Sequence, residues 1–291
     1  ICAGEALPQP TASDDCNTVG NALDFDGVDD YVVVPNEENF DFVGSPFTIE
    51  TLINVSSFSS DWQAVITKGD NSWRLHLFSN SNKLYFATTG LSNLSLVSSV
   101  EVNDGVWHHI AAVYDGSQKL LYIDGILDNS VAVTGTMNNS AFNVAIGENL
   151  QLPGRNFHGK MDEVRIWNVA RTQTEIPANM NKELNAEPGL IVSYQFNDGA
   201  AGGYNSGAIT AADASGNENN GTLKNFTLSG DFSNWTCGAF GGCITNDAPE
   251  NYLVGNNLIT WTATNESGNS ASCTQSVTYS PVDILFVNKN A

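Results

Sequence analysis

The stretch VWHHIAAVYDGSQKLLYIDGIL, residues 106 to 127, constrains this chain more than any other. Its β-branched, aromatic and aliphatic residues come in short runs, broken by Asp115-Gly116 and Asp124-Gly125. Asp-Gly marks a hairpin because tight β-turns need a positive φ, which glycine adopts freely and aspartate tolerates. The spacing predicts a meander of strands near 107–114, 119–123 and 126–133. The same texture predicts strands at 21–26, 30–34, 47–54, 63–68, 73–79, 83–88, 142–147, 158–168 and 190–196. Helical periodicity is confined to VARTQTEIPANMNKEL, where Thr172 can cap a turn carrying Glu175 and Pro177 limits the length. Residues 198 to 222, rich in Gly, Asn, Ala and Ser, read as a long loop. So many strands point to an all-β chain folded as a two-sheet sandwich.

Charge narrows the partners. Eleven Lys and Arg stand against 32 Asp and Glu, a formal net charge of -21, which repels phosphate backbones and anionic headgroups. Nucleic acid is therefore not expected as a partner. Only 15% of residues are charged, so Asn, Ser, Thr and Gly must supply most of the polar surface. No apolar run reaches the ~20 residues of a membrane helix, and membrane insertion is not expected. The chain reads as a soluble piece of something longer.

The cysteines suggest two units. Cys2, Cys16, Cys237, Cys243 and Cys273 all lie in the flanks, leaving 17–236 without any. A large cysteine-free domain and a small one leaning on disulfides would explain this, the small one being split in sequence. The spacings do not match a zinc finger, so an oxidising extracellular setting is expected. Cys16 and Cys237 bracket the insert and are the expected bridge. Cys2 with Cys273 is the second expected pair, leaving Cys243 free or paired elsewhere.

Several strings together resemble a known family. NALDFDGVDDYVVVP at 21–35, DGVWHHIAAVYDG at 104–116, LYIDG at 121–125 and GKMDEVRIWNVART at 159–172 are similar to the laminin-G-like, concanavalin-A-like jelly rolls of bacterial surface proteins. GLIVSYQFNDG at 189–199, DASGNENNGTLKN at 213–225 and SNW at 233–235 resemble the closing segment of the same domain. The flanks, ICAGEALPQPTASDDC at 1–16 and the stretch from Cys243 to Tyr279, resemble an immunoglobulin-like HYR-type repeat. The resemblance implies a jelly roll at 17–236 inserted between the two parts of that repeat, 1–16 and 237–280. Residues 281–291 then form a linker or the start of another strand, which could also complete a neighbouring copy.

Calcium is the expected cofactor, in a structural role. A hard cation takes six to eight oxygens, and Asp26, Asp29 and Asp30 crowd one turn. The resemblance adds Asp162 and Asp213, whose motifs lie near that turn in such jelly rolls. The plainer alternative is a turn with solvated carboxylates. His108 and His109 are neighbours on a strand, so they face opposite sides and cannot share one ion.

A sugar site would pair an aromatic platform with carboxylates and amides, because the apolar face of a pyranose stacks on an indole. Trp62 and Trp73 flank a turn holding Asp70 and Asn71, which makes this loop pair the candidate ligand site, with core packing of the tryptophans as the alternative. Trp107 and Trp167 are expected in the core. Hydrolases of the resembled fold carry Glu-x-Asp-x-x-Glu on a strand; MDEVRI at 161–166 does not match, and its Asp162 and Glu163 are expected on opposite faces. No catalytic residue is assigned. The expectation is a non-catalytic extracellular adhesion module binding glycans or cell-surface proteins. A filament subunit contacting its own copies or neighbouring repeats is the alternative, and a polysaccharide-active enzyme the third.

Overall fold

The computed structural model describes residues 20 to 264 and 269 to 279. In chain order the first strands are β1 (Asn21–Asp26), β2 (Tyr31–Val34), β3 (Phe47–Asn54), β4 (Ala64–Thr67), β5 (Trp73–Leu77), β6 (Leu84–Thr88) and β7 (Ser95–Val97). The meander follows as β8 (Trp107–Tyr114), β9 (Gln118–Ile123) and β10 (Ile126–Ala132), then β11 (Val144–Ile146) and β12 (His158–Trp167). A short helix, α1 (Glu175–Asn179), precedes β13 (Leu190–Tyr194), β14 (Thr210–Ala211), β15 (Gly221–Lys224) and β16 (Asn234–Cys237). The chain then forms β17 (Cys243–Asn246), β18 (Gly255–Thr264) and β19 (Ser270–Tyr279).

Two antiparallel sheets make the sandwich. One runs β10-β9-β8-β3-β12-β1-β16, with β13 also pairing β12. The other runs β14-β15-β2-β11-β4-β5-β6-β7. The core between them includes Phe25, Phe47, Ile49, Trp73, Phe86 and Ile110. The meander is as predicted, and its second turn has positive φ at both Asp124 (52°) and Gly125 (74°), which matches strand twist. α1 spans only five residues, and Thr172 and Glu175 cap it reciprocally: Thr172 N–H donates to Glu175 Oε2 at 2.8 Å and Glu175 N–H to Thr172 Oγ1 at 3.2 Å. Ile176 docks this segment on Ala111, Val113 and Tyr122, on the outer side of the first sheet.

The third sheet, β17-β18-β19, joins the sandwich through Asn21. That fully buried amide donates to Gly199 O at 2.6 Å, and its Oδ1 accepts from Ile244 N–H at 3.2 Å. Ile244, Ile259, Trp261 and Val277 pack with Ala200 beside it.

The cysteine pairing differs from expectation. Cys237 is bonded to Cys243, with a Cα–Cα distance of 4.7 Å, so it cannot bridge to Cys16. The two flank the short connection between β16 and β17, and proximity across that turn decides the pairing. Cys243, expected free or paired elsewhere, is thus the partner of Cys237. Cys273 carries an exposed free thiol. Cys2 and Cys16, the other members of the expected pairs, lie outside the described residues, as does the segment 281–291.

Candidate functional site

At the turn between β1 and β2 the chain gathers Asp26, Asp29 and Asp30, whose carboxylate oxygens lie within 4.8 Å of one another. Asp26 folds the turn by accepting the N–H of Val28 at 2.7 Å. Asp30 is 1% exposed; its carboxylate accepts Asp26 N–H at 3.0 Å and the Ser233 hydroxyl at 2.9 Å. Burial pushes its pKa up to about 7, the negative Asp26 and Asp29 adding to the shift and the two hydrogen bonds offsetting part of it. A crowded carboxylate set with one buried member is the donor chemistry a hard divalent cation takes, so these three residues fit calcium.

Asp162 and Asp213 do not join them. In the β1–β12 register Asp26 pairs with His158, which puts Asp162 four residues further along β12, about 13 Å away at ~3.3 Å per residue. Its carboxylate accepts the N–H groups of Glu163 and Ala239, each at 2.8 Å. The Asp213 carboxylate is taken up by the N–H groups of Ser193, Ser215 and Asn219 at 3.0, 2.9 and 3.0 Å. Both are anchors for backbone, which the motif resemblance could not distinguish from ligands.

Next to the acidic turn lies the loop that carries Trp62. A Cβ on Gly27 would come 3.2 Å from Ser59 Oγ, and Gln63 donates to that same oxygen at 2.8 Å while accepting His158 N–H at 3.3 Å. Trp62 has a left-handed backbone, φ 59°, fixed by its N–H bond to Ser79 O at 3.0 Å. Its half-exposed ring lies 5.6 Å from His76 and meets Phe78 and Tyr85 edge-on at 5.8 and 6.0 Å. Phe78 stacks on Tyr85 at 5.5 Å and is 40% exposed.

Trp73 does not share this face. It is fully buried, its indole N–H donating to Phe40 O at 3.0 Å, because alternation along β5 sends residues 73, 75 and 77 inward. The same alternation turns Arg74 and His76 outward, His76 beneath Trp62. Burial, then the Arg74 charge, lowers the His76 pKa to about 3, so the ring is neutral, with Nδ1 at 2.7 Å from Leu77 O.

Asp70 extends the face: its carboxylate is 2.8 Å from Arg155 Nη1 and 3.4 Å from Arg74 Nε, and accepts Asn149 Nδ2 at 2.7 Å. Asn71 is exposed at the adjoining turn, where its N–H donates to Gln151 Oε1 at 3.0 Å. Of the four expected ligand residues, Trp62 and Asp70 lie on this face, Asn71 lies at its edge and Trp73 lies in the core. Phe78, Tyr85 and His76 were missed; strand alternation around Trp73 contained the signal for His76. Arg155 belongs to a loop and had none.

The histidines of β8 and the carboxylates of β12 serve the fold. His109 is buried with its pKa pushed down to about 3 by burial and by Arg165. His108, on the opposite side, sits between Asp124 Oδ2 at 2.8 Å and Asp104 Oδ1 at 3.1 Å. Glu163 and Asp162 are not separated by strand alternation as expected. The β12–β3 register shifts between Asp162 and Arg165, Glu163 has φ 50°, and both carboxylates are buried. Glu163 pairs with Arg165 at 2.5 Å, and that guanidinium also donates to the carbonyls of Asn179 and Lys182. Trp107 is half-buried rather than in the core, whereas Trp167 is fully buried.

A polar cleft of about 490 Å³ lies beyond the far end of β12, lined in part by Asn39, Asn168, Glu187, Asn217 and Asn219. Its amides are largely spent on the protein itself: Asn39 donates to Asn219 Oδ1 at 3.3 Å and Asn217 to Leu190 O at 2.9 Å.

Residues 26 to 177 match the Laminin_G_3 family, described as the Concanavalin A-like lectin/glucanases superfamily. Pappalysin-1 of Mus musculus is 27% identical over an alignment of 129 positions that covers 39% of this chain and 8% of that protein. The chain therefore spans only a small part of that relative. A crystal structure of a candidate carbohydrate binding protein from Bacteroides ovatus ATCC 8483 superposes with a TM-score of 0.57 at 24% identity, covering 71% of this chain and 58% of that one. The binding domain of Paraclostridial Mosquitocidal Protein 1 superposes more loosely, with a TM-score of 0.45 at 15% identity over 84% of this chain and 66% of that one.

Proposed function

From a chain that belongs to the concanavalin A-like lectin/glucanase superfamily through its Laminin_G_3 domain, we propose a non-catalytic carbohydrate-binding module that works outside the cell in adhesion. The observation that carries this reading is the aromatic face of Trp62, Phe78 and Tyr85 on the outer side of the second sheet. A pyranose stacked on Trp62, with Phe78 standing at right angles beside it, would bury its apolar face, and the neighbouring Asp70 and Arg155 could bond its hydroxyls. The Cys237–Cys243 bond favours an oxidising, extracellular compartment.

Calcium at Asp26, Asp29 and Asp30 would neutralise the carboxylates of a turn that abuts the Trp62 loop through Ser59 and Gln63. In the same reading β17, β18 and β19 are the second part of an HYR-type immunoglobulin-like repeat that carries the jelly roll as its inserted head. A non-catalytic role agrees with the inner placement of Asp162 and Glu163, each 2% exposed, which leaves no carboxylate pair of β12 open to a glycosidic bond.

The test is a glycan array probed with the chain in millimolar calcium and again in EDTA, alongside the Trp62→Ala variant. Glycan binding that Trp62→Ala abolishes is expected. A blank array from folded, calcium-loaded protein would sink the reading.

A further inference from the structure

The face beside Trp62 departs from the charge of the rest of the chain. Acidic residues outnumber basic ones 32 to 11 overall. Around the aromatic cluster the two signs come close to balance, with Arg74, Lys83 and Arg155 against Asp61, Asp70, Glu101, which bonds Asn82 beside Lys83, and Glu148, which accepts Arg155 N–H at 3.0 Å. Lys83 enters the hairpin that holds Phe78, accepting its N–H at 2.9 Å through the backbone carbonyl, and shares a strand side with Tyr85. Arg155 lies alongside β4, its carbonyl accepting Ala64 N–H at 2.7 Å, while Ala64 pairs in register with His76 under Trp62. Its guanidinium commits Nη1 to Asp70 and keeps 21% of its side chain exposed. A guanidinium bonded on one side by a carboxylate and open on the other has donors left for a second anion.

We infer that this face selects carboxylate-bearing saccharides, such as uronic or sialic acid residues, the sugar ring stacked on Trp62 beside Phe78 while its carboxylate meets Arg155. The inference rests on the saccharide-binding reading above and adds to it the ligand's charge. Asp70 acts as a built-in competitor, holding Arg155 in place and occupying part of its donor set. Distant negative charge opposes this only weakly at physiological salt, because exposed charges farther off than about 8 Å are largely screened.

The test uses the whole chain against galacturonate, glucuronate and sialic acid oligosaccharides, each offered as the free acid and as its methyl ester, which keeps the ring and removes the charge. At least one free acid is expected to bind tenfold or more tightly than its ester, and the margin should shrink as salt is raised. Arg155→Gln should erase that preference while Arg155→Lys keeps part of it. Asp70→Asn, by releasing Arg155, should tighten binding of the free acid severalfold, a gain that misfolding could not produce. If esters bind as well as acids, or only neutral glycans bind, the acidic preference is overturned and the saccharide reading stands. If the folded protein binds no glycan at all, both fall.

Discussion

Trp62 combines bulk with a backbone angle that L-residues avoid. A left-handed φ costs such a residue roughly 1–2 kcal/mol, and the bond to Ser79 O together with the ring contacts to Phe78 and Tyr85 holds it there. Trp62→Gly is therefore expected to change global stability by less than about 1 kcal/mol, relief of strain offsetting lost packing, yet to weaken glycan binding tenfold or more. Thermal melts and calorimetric titration on one sample separate the two effects. Asp30 carries the opposite kind of tension, a carboxyl raised from 3.8 to about 7. Between those values the folded state binds more protons than the unfolded one, so this group's contribution to stability falls as pH rises from about 4 to 7. Asp30→Asn should accordingly raise the melting temperature at pH 8 in EDTA, change little at pH 4, and remove any stabilisation by added calcium. A variant less stable than the parent at pH 8 in EDTA would contradict this account.

Among the elements, β12 shows best how the fold handles buried charge. Its bulge brings Glu163 beside Arg165, and the guanidinium, with Glu50 at 3.6 Å, anchors the carbonyls of Asn179 and Lys182 behind α1. Removing one partner of such a pair strands the other, so Arg165→Ala should cost about 3–5 kcal/mol in urea unfolding. Amide hydrogen exchange should quicken first around residues 176–182; uniform loss of protection would show that the strap is not the element held. Strand alternation made β1, β3 and the meander legible, because every second residue points into the core, as Leu23 and Phe25 do on β1 and Phe47, Ile49 and Ile53 on β3, although the other face of these strands is largely covered as well. β7, β14, β15 and β16 were not legible. They are two to four residues long, as are β2, β4 and β11, but they lack the runs of Val and Ile that mark those strands, and β14 and the start of β15 sit in a stretch whose composition reads as loop. The bulge was equally hidden, since a one-residue insertion leaves no compositional trace.

For the whole molecule, the disulfide marks the passage from sandwich to third sheet. Chymotryptic cleavage after Phe240 without reduction should leave Cys237 and Cys243 in two peptides joined by their sulfurs; a Cys237 peptide joined to Cys16 would overturn the pairing. Closing so short a loop stabilises by only about 2 kcal/mol, so the double Ser variant should loosen the third sheet and leave the sandwich folded. Pairing cysteines by how they bracket the chain failed because bond formation depends on Cα separation, which two strands meeting at a turn can bring within reach over a few residues. The all-β class, the two-sheet sandwich, the acidic turn at Asp26–Asp30 and the presence of Trp62 in a candidate loop were all determined by sequence alone, because alternation, turn chemistry and local crowding act between residues close in the chain. Tertiary structure decided which tryptophan faces solvent, which aspartates stay with the acidic turn, and that Arg155 reaches Asp70 across the sheet. Those are relations between distant segments, set by register and by which face of each strand the core claims, and short-range pattern carries no record of them.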